Sequence, residues 1–427
     1  FGHAVALQDS VLVVGTPQDA STGNDRGQAF WCELAGTACN GFTELFNPFS
    51  TAQDLYGQSV AIGDDTLVVG ARYNPTTGSY SGGAVHTYHY DGSSVQYSEM
   101  LEINTAVGSE QFGDSLALRD DVLVVGAPTA RTPSGGGVTF PVSGAAFVFH
   151  RDGTGNWMQR QRLSTGFGYD GDESGFSIAL DGNHVAVGSP GYGGDTGGVQ
   201  LYSIGSEIKL TSPGSSNSES FGMALDINGT TLAVGGLFLN APCTDPFGCG
   251  AVYLYERSGR QWLLDTQLTY IHAGAAQDSD FGSSLALDSD TLLVGAPYDD
   301  TISAADSGAA YVFIRMAGTW DTAPQQKLES STPVTDDRFG EAVALEGDVA
   351  VIGAPNEVDG FSNPLAGAAY VFERVAGNWG APPGMSGSRI VGPDTDGGDR
   401  FGSSVAVSAD TIIVGAPHAI VNLTGGG

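Results

Sequence analysis

The side chains best able to do chemistry in this sequence are carboxylates, and they gather in short recurring segments. One group comprises Asp19, Asp25, Asp299, Asp300, Asp306, Glu357 and Asp359, with Asp195 beside Tyr192, and Arg72, Tyr73 and Phe361 in the same kind of segment. A second group comprises Asp172, Glu173, Asp278, Asp280, Asp336, Asp337, Asp394, Asp396 and Asp399. Carboxylates with scattered aromatics suit a cation, a basic peptide or a sugar; solvated loop polarity is the plainer account of the same residues. The run from Asp394 to Asp399 sets Asp394, Asp396 and Asp399 around a glycine pair, the spacing of a candidate calcium loop.

Signals for catalysis are poor. Gly166 to Gly171 fits GxGxxG but leads into a strand, so no helix N-terminus is there to cradle a phosphate. His86 and His89 lie three apart on an expected strand and face opposite sides, which rules out chelation of one metal. Neither HExxH nor GxSxG occurs. The expectation is a protein that is not an enzyme and requires no cofactor, with Ca2+ in a loop the one candidate ion.

Charge and cysteines narrow the setting. Sixteen Lys+Arg against 48 Asp+Glu leave a net charge of −32, a surface that repels nucleic acid and anionic membranes and attracts cations or basic partners. No apolar run is long enough to span a membrane. Cys32 with Cys39 and Cys243 with Cys249 form two close pairs, neither spaced CxxC, so local disulfides and an oxidising, extracellular or cell-surface setting are expected.

These side chains are positioned by a repeat. Eight copies of a pattern typified by Phe281 to Pro297 begin at Phe1, Tyr56, Phe112, Ser174, Phe221, Phe281, Phe339 and Phe401. In each, a glycine follows 14 residues after the start: Gly15, Gly70, Gly126, Gly188, Gly235, Gly295, Gly353 and Gly415. All variation in length lies outside that span, as expected of a fixed hairpin joined by variable loops. The fourth copy opens Ser174-Gly175; Phe176, two residues on, is expected to supply its aromatic on the same face.

Within a copy, a short strand, a tight polar turn and a run apolar on both faces are followed by a third strand, such as Ala309 to Phe313, and a polar fourth, such as Trp157 to Leu163. Four antiparallel strands per period of this length define the blade of a β-propeller, an all-β fold. The chain is read as one propeller domain over residues 1–427, with eight blades favoured, the last incomplete, and seven as the alternative. An eighth blade reduced to two strands needs residues beyond 427, or a strand from a partner chain, to fill its edge.

The Phe-Gly opening, the apolar hairpin and the Gly-Ala-Pro close resemble the FG-GAP repeat of the integrin α-subunit propeller and its bacterial relatives. The resemblance implies a ligand face built from the loops joining strands two to three and strand four to the next strand one, which hold both carboxylate groups. It also implies a disulfide in the first blade, matching Cys32 and Cys39. The family's calcium loops are not carried over, because the turn between strands one and two is short throughout, as at Asp64, Asp120 and Asp290. By this resemblance the chain is an extracellular recognition or adhesion propeller binding a protein or glycan. A carbohydrate-active lyase or hydrolase with a site at the central channel, and a structural subunit of a surface assembly, are the rivals.

Overall fold

A computed structural model describes residues 2–419, except 18–25, 36–37, 40, 50–53, 74–81, 104–108, 132–140, 165–168, 204–205, 212–219, 238–249, 260, 270–278, 302–303, 359–364, 381–386, 393–395 and 410. The strands form seven antiparallel sheets, each in chain order from its first strand outward, and one two-stranded hairpin. The third sheet shows the plan: Leu116–Arg119, Val122–Ala127, Ala145–Arg151 and Trp157–Leu163. In the first, sixth and seventh sheets the outermost strand is split into two pieces that both pair with strand three.

The chain is thus a propeller with seven four-stranded blades, the lower of the two counts read from the sequence. The eighth copy provides only Ser404–Ser408 and Thr411–Gly415 among the described residues. This hairpin packs against Val343–Glu346 of the seventh blade on one side and Ala4–Gln8 of the first on the other.

The core explains the sequence pattern. Second strands are apolar on both faces because neighbouring blades cover both: Leu292, Leu293 and Val294 are fully buried. The aromatic that opens a copy packs edge-on or tilted against two aromatics of its own third strand. Phe221 meets Tyr253 and Tyr255, Phe281 meets Tyr311 and Phe313, and Phe339 meets Tyr370 and Phe372, at centroid distances of 5.1 to 6.4 Å.

The fourth copy departs from expectation. Ser174 is fully buried where the other copies hold an aromatic, whereas Phe176 is 38% exposed and does not replace it. Gly175, at φ 91°, turns the chain between them, so the two-residue alternation of a strand does not apply there. The third-strand partner has changed in step: Gln200 stands where other blades carry Phe147 or Tyr253, and it accepts a hydrogen bond from Tyr202 Oη at 2.9 Å.

The 14-residue interval also has a physical cause. A Cβ on Gly295 would collide with the carbonyl oxygen of Gly340, the Phe-Gly glycine of the next copy. Gly15 meets Gly57 in the same way, Gly126 meets Gly175, and Gly415 meets Gly2. A serine beside the joint ties it: Ser115 Oγ donates to the Gly175 carbonyl at 2.8 Å, Ser177 to Gly222 at 2.6 Å and Ser284 to Gly340 at 2.8 Å. A residue inserted within the span would move one glycine away from its mate.

Candidate functional site on the loop face

Among the described residues, the one two places before a copy's opening position is buried: Asp54, Glu110, Asp172, Ser279, Asp337 and Asp399. Its carbonyl accepts an N–H from just beyond the Gly-Ala-Pro element, as in Tyr73 to Asp54 at 3.2 Å, Tyr298 to Ser279 at 3.3 Å and Asn356 to Asp337 at 3.3 Å. The carboxylates close their own loops. Asp172 Oδ2 accepts the Tyr169 N–H at 2.8 Å, Asp337 Oδ2 that of Val334 at 2.6 Å, and Asp399 Oδ2 that of Asp396 at 2.6 Å.

The second carboxylate group is therefore partly loop-stapling. Asp396 and Asp399 are linked through a backbone N–H, and Asp394 lies outside the described residues. Among the described residues no group of three His, Cys, Asp or Glu is placed to hold a metal. Burial lifts the Asp337 pKa to about 7, with Glu357 adding to the shift while the Val334 N–H and Arg389 oppose it.

Blades six and seven hold matching buried clusters. Glu357 accepts hydrogen bonds from Tyr370 Oη at 2.6 Å and Arg389 Nε at 2.5 Å, and Ser330 Oγ lies 2.8 Å from the same Tyr oxygen. In blade six Asp299 accepts from Tyr311 Oη and lies 3.2 Å from Lys327 Nζ, which also pairs with Glu329 at 2.7 Å. Burial works against the Lys327 charge, but Asp299 and Glu329 prevail and its pKa is raised. Blade three has Ala130, Phe147 and Arg162 at the corresponding positions, and Arg162 lies over the Phe147 ring instead. Of the other candidates, Asp300 accepts the Asp306 N–H at 2.8 Å. Burial and the nearby Asp300 and Asp336 raise the Asp306 pKa.

Arg72 and Tyr73 belong to the best-built open part of this face. The Arg72 guanidinium stacks over the Tyr73 ring at 4.9 Å, donates to Tyr73 Oη at 3.0 Å and pairs with Asp114 at 2.8 Å. Gln111 Nε2 donates to the same phenol at 3.1 Å. Burial raises the Asp114 pKa against the pull of Arg72. Burial, with positive charge that includes Arg72 and His418, lowers that of His3. Sequence reasoning missed Asp114, Gln111, His3 and His418. The available signal was that positions just before and just after the Phe-Gly dipeptide vary from copy to copy.

Tyr192 lies in a single helical turn, Tyr192–Asp195, its ring close against Gly198; the Asp195 side chain is outside the described set. Asp19, Asp25, Asp359, Phe361, Cys243 and Cys249 also lie outside it. Cys32 and Cys39 form a disulfide joining the third strand of the first blade to the two-residue strand Ala38–Cys39.

The short turns show what their acids do. Asp64 Oδ1 accepts Gln8 Nε2 at 2.8 Å, Asp181 Oδ2 the Gly229 N–H at 2.7 Å and Asp288 Oδ2 the Gly347 N–H at 2.7 Å, each across to a neighbouring blade. Asp226 stands where other first strands carry Ala61, Ala117, Ala179, Ala286 and Ala344. Its carboxylate accepts the N–H groups of Ile227 at 2.8 Å and of Leu287, in the next blade, at 2.7 Å, and burial lifts its pKa to about 7.

Fold and loop face together define a β-propeller whose blades are joined at paired glycines. Four segments, residues 50–88, 267–313, 323–372 and 386–425, match the model of the FG-GAP repeat. These FG-GAP matches, with the likeness to an integrin α-subunit, support an FG-GAP type of β-propeller. The chain is 28% identical to integrin alpha-6 of Gallus gallus over 167 residues, which cover 38% of this chain and 15% of that protein. Two crystal structures of Sqt1 from Chaetomium thermophilum share the fold, with TM-scores of 0.61 and 0.60 at 14% identity. They align over 97% of this chain and 94% and 95% of theirs. No helix among the described residues is long and apolar enough to cross a membrane.

Proposed function

We propose that this propeller is an extracellular or cell-surface recognition module that binds a protein or glycan ligand through its loop face. The FG-GAP repeat and the likeness to an integrin α-subunit support a protein-binding or adhesion role. The observation that carries the choice of face is the Arg72, Tyr73, Gln111 and Asp114 cluster. It fixes a cation and an aromatic ring in one geometry, so little side-chain entropy is lost when a ligand docks. A ring held beside an ion pair on a face rich in carboxylates suits a basic peptide or a sugar. The test is binding of the intact protein to an array of glycans and immobilised matrix proteins, alongside Arg72→Ala and Tyr73→Ala variants. The expected result is a ligand whose binding falls at least tenfold in both variants. Unchanged binding in both would move the site elsewhere, and release of new reducing ends from any arrayed polysaccharide would favour the enzyme reading.

A further inference from the structure

We propose that the cavity in the seam between blades one and two is a binding site for an indole ring presented by a basic peptide. This inference does not rest on the loop-face reading. Ser93 and Ser94, in the turn between strands three and four of blade two, border the cavity, so it lies at the end of the propeller away from the loop face.

The cavity coincides with a change in the repeat. In blades three, five, six and seven a tryptophan of the fourth strand stands opposite an arginine near the end of the third: Trp157 opposite Arg151, Trp262 opposite Arg257, Trp320 opposite Arg315 and Trp379 opposite Arg374. All four tryptophans are buried. In blade two the same pair is Val95 opposite Tyr90. Beside Val95 lies a cavity of about 250 Å3, walled by Trp31, Thr43 and Glu44 of blade one and by Tyr88 and Tyr97 of blade two. That volume is just under the ~300 Å3 at which pockets for drug-sized ligands begin, so it has room for one ring system.

The walls and the other seams specify the occupant. Trp31 stands where blades two and six carry Thr87 and Val312, so a docked ring would meet aromatic faces on both blades. In the seam between blades five and six, Glu256 Oε1 accepts the Trp320 indole N–H at 3.4 Å. Thr43 and Glu44 supply oxygens of the same kind to the cavity. Its mouth is held in place: Tyr56 Oη donates to the Leu45 carbonyl at 3.1 Å and Tyr88 Oη to that of Phe46 at 3.0 Å. Little order therefore has to be imposed on binding. The Phe46 side chain is 69% exposed there.

Charge selects a basic carrier for the indole. Arg151 lies over the Trp157 ring at 5.8 Å and Arg374 over Trp379 at 5.3 Å, and Arg315 pairs with Glu256 of the preceding blade at 3.0 Å. Glu33 is the residue of blade one that corresponds to Glu256; it is exposed and meets the Tyr90 phenol instead of a guanidinium. Glu44 is exposed as well and bonds only to the neutral Gln28 amide among the described residues. A cation next to the docked indole would restore the charge that Tyr90 does not supply.

The test is calorimetric titration of the intact protein with the tripeptide Lys-Trp-Lys, acetylated and amidated. Binding should saturate at one site, and the Lys-Ala-Lys and Glu-Trp-Glu counterparts should bind at least tenfold more weakly. Val95→Trp fills the cavity from within, so it should raise the thermal midpoint and abolish binding. Phe46→Ala, at an exposed position, should weaken binding at least threefold and decides the matter should Val95→Trp not fold. No binding of the peptide overturns the proposal. Binding that survives Val95→Trp, or is unchanged in Phe46→Ala, is general attraction to an acidic surface and overturns it too. Methyl hexosides that bind in place of the peptide and are blocked by Val95→Trp would assign the cavity to a glycan instead.

Discussion

Ser404 and Gly2 stand 402 positions apart in the chain, yet Ser404 Oγ donates a hydrogen bond to the Gly2 carbonyl at 2.8 Å. The same bond ties Ser115 to Gly175 and Ser284 to Gly340. The ring is therefore closed by the contact that Ser59, Ser115, Ser177 and Ser284 make at four other joints, while Ala4, Ala224 and Ala342 stand at that position in the remaining copies. Ser404→Ala should remove about 1 kcal/mol, seen as a lower thermal midpoint. Gly295→Ala forces a Cβ onto the Gly340 carbonyl, and its loss should exceed the ~3 kcal/mol that bounds ordinary substitutions. Equal midpoints for Gly295→Ala and wild type would refute the steric account of the 14-residue interval.

Asp226 makes stability depend on pH. Its folded pKa of about 7 lies above the 3.8 of an unperturbed aspartate, so between those values the folded state holds a proton that the unfolded chain has lost. Stability must then fall as pH rises through that window, with the full cost present above about pH 7. Asp226→Asn keeps an oxygen acceptor for Ile227 and Leu287 but cannot ionise. Its thermal midpoint should exceed that of wild type at pH 8, with the advantage vanishing near pH 4. A difference independent of pH would show that the carboxyl titrates normally.

The buried cluster of blade seven should respond to partner removal more than to redesign. Glu357→Ala removes the acceptor of the solvent-reached Arg389 and leaves Tyr370 only Ser330, and should cost about 1 to 3 kcal/mol. Adding Tyr370→Phe copies the alanine and phenylalanine of blade three, Ala130 and Phe147, and should recover part of that loss. Chemical denaturation of both variants checks the order; a double variant less stable than the single one would contradict it.

Free-thiol labelling of the unreduced, denatured protein should detect no cysteine. That result requires Cys243 to pair with Cys249 in addition to the Cys32–Cys39 bond. Two reactive thiols would leave the second pair reduced, and four would also remove the support for an oxidising compartment.

Calcium should not act through the short turns, whose acids already accept hydrogen bonds from neighbouring blades. Asp288→Asn and wild type should give the same midpoint shift, if any, between chelator and millimolar Ca2+. A shift in wild type that this substitution abolishes would place an ion there.

The blade plan was legible in the sequence because its causes are local to one copy: alternating apolar positions, a tight turn, and glycines at a constant interval. The joint itself was not, since each glycine is explained by the backbone of the next copy. Arg72 and Asp114 illustrate the same limit, as their 2.8 Å pairing crosses from one blade to the next. Phe176 misled because strand alternation was extended through Gly175, where the chain turns. The clusters around Asp299 and Glu357 had left a trace, since acid and tyrosine change together between blade three and blades six and seven while a cation is kept in all three. That comparison was available within the single chain.

The glycine joint bears on how such a ring can change over time. Every copy presents the same pair of mating surfaces, one toward the copy before it and one toward the copy after. A whole copy gained or lost by duplication or deletion would bring identical surfaces back together, and only the curvature at each seam would have to adjust. A single residue gained between the two glycines has no such remedy. Changes in this lineage should thus come as entire copies or as free variation in the outer loops, with little in between.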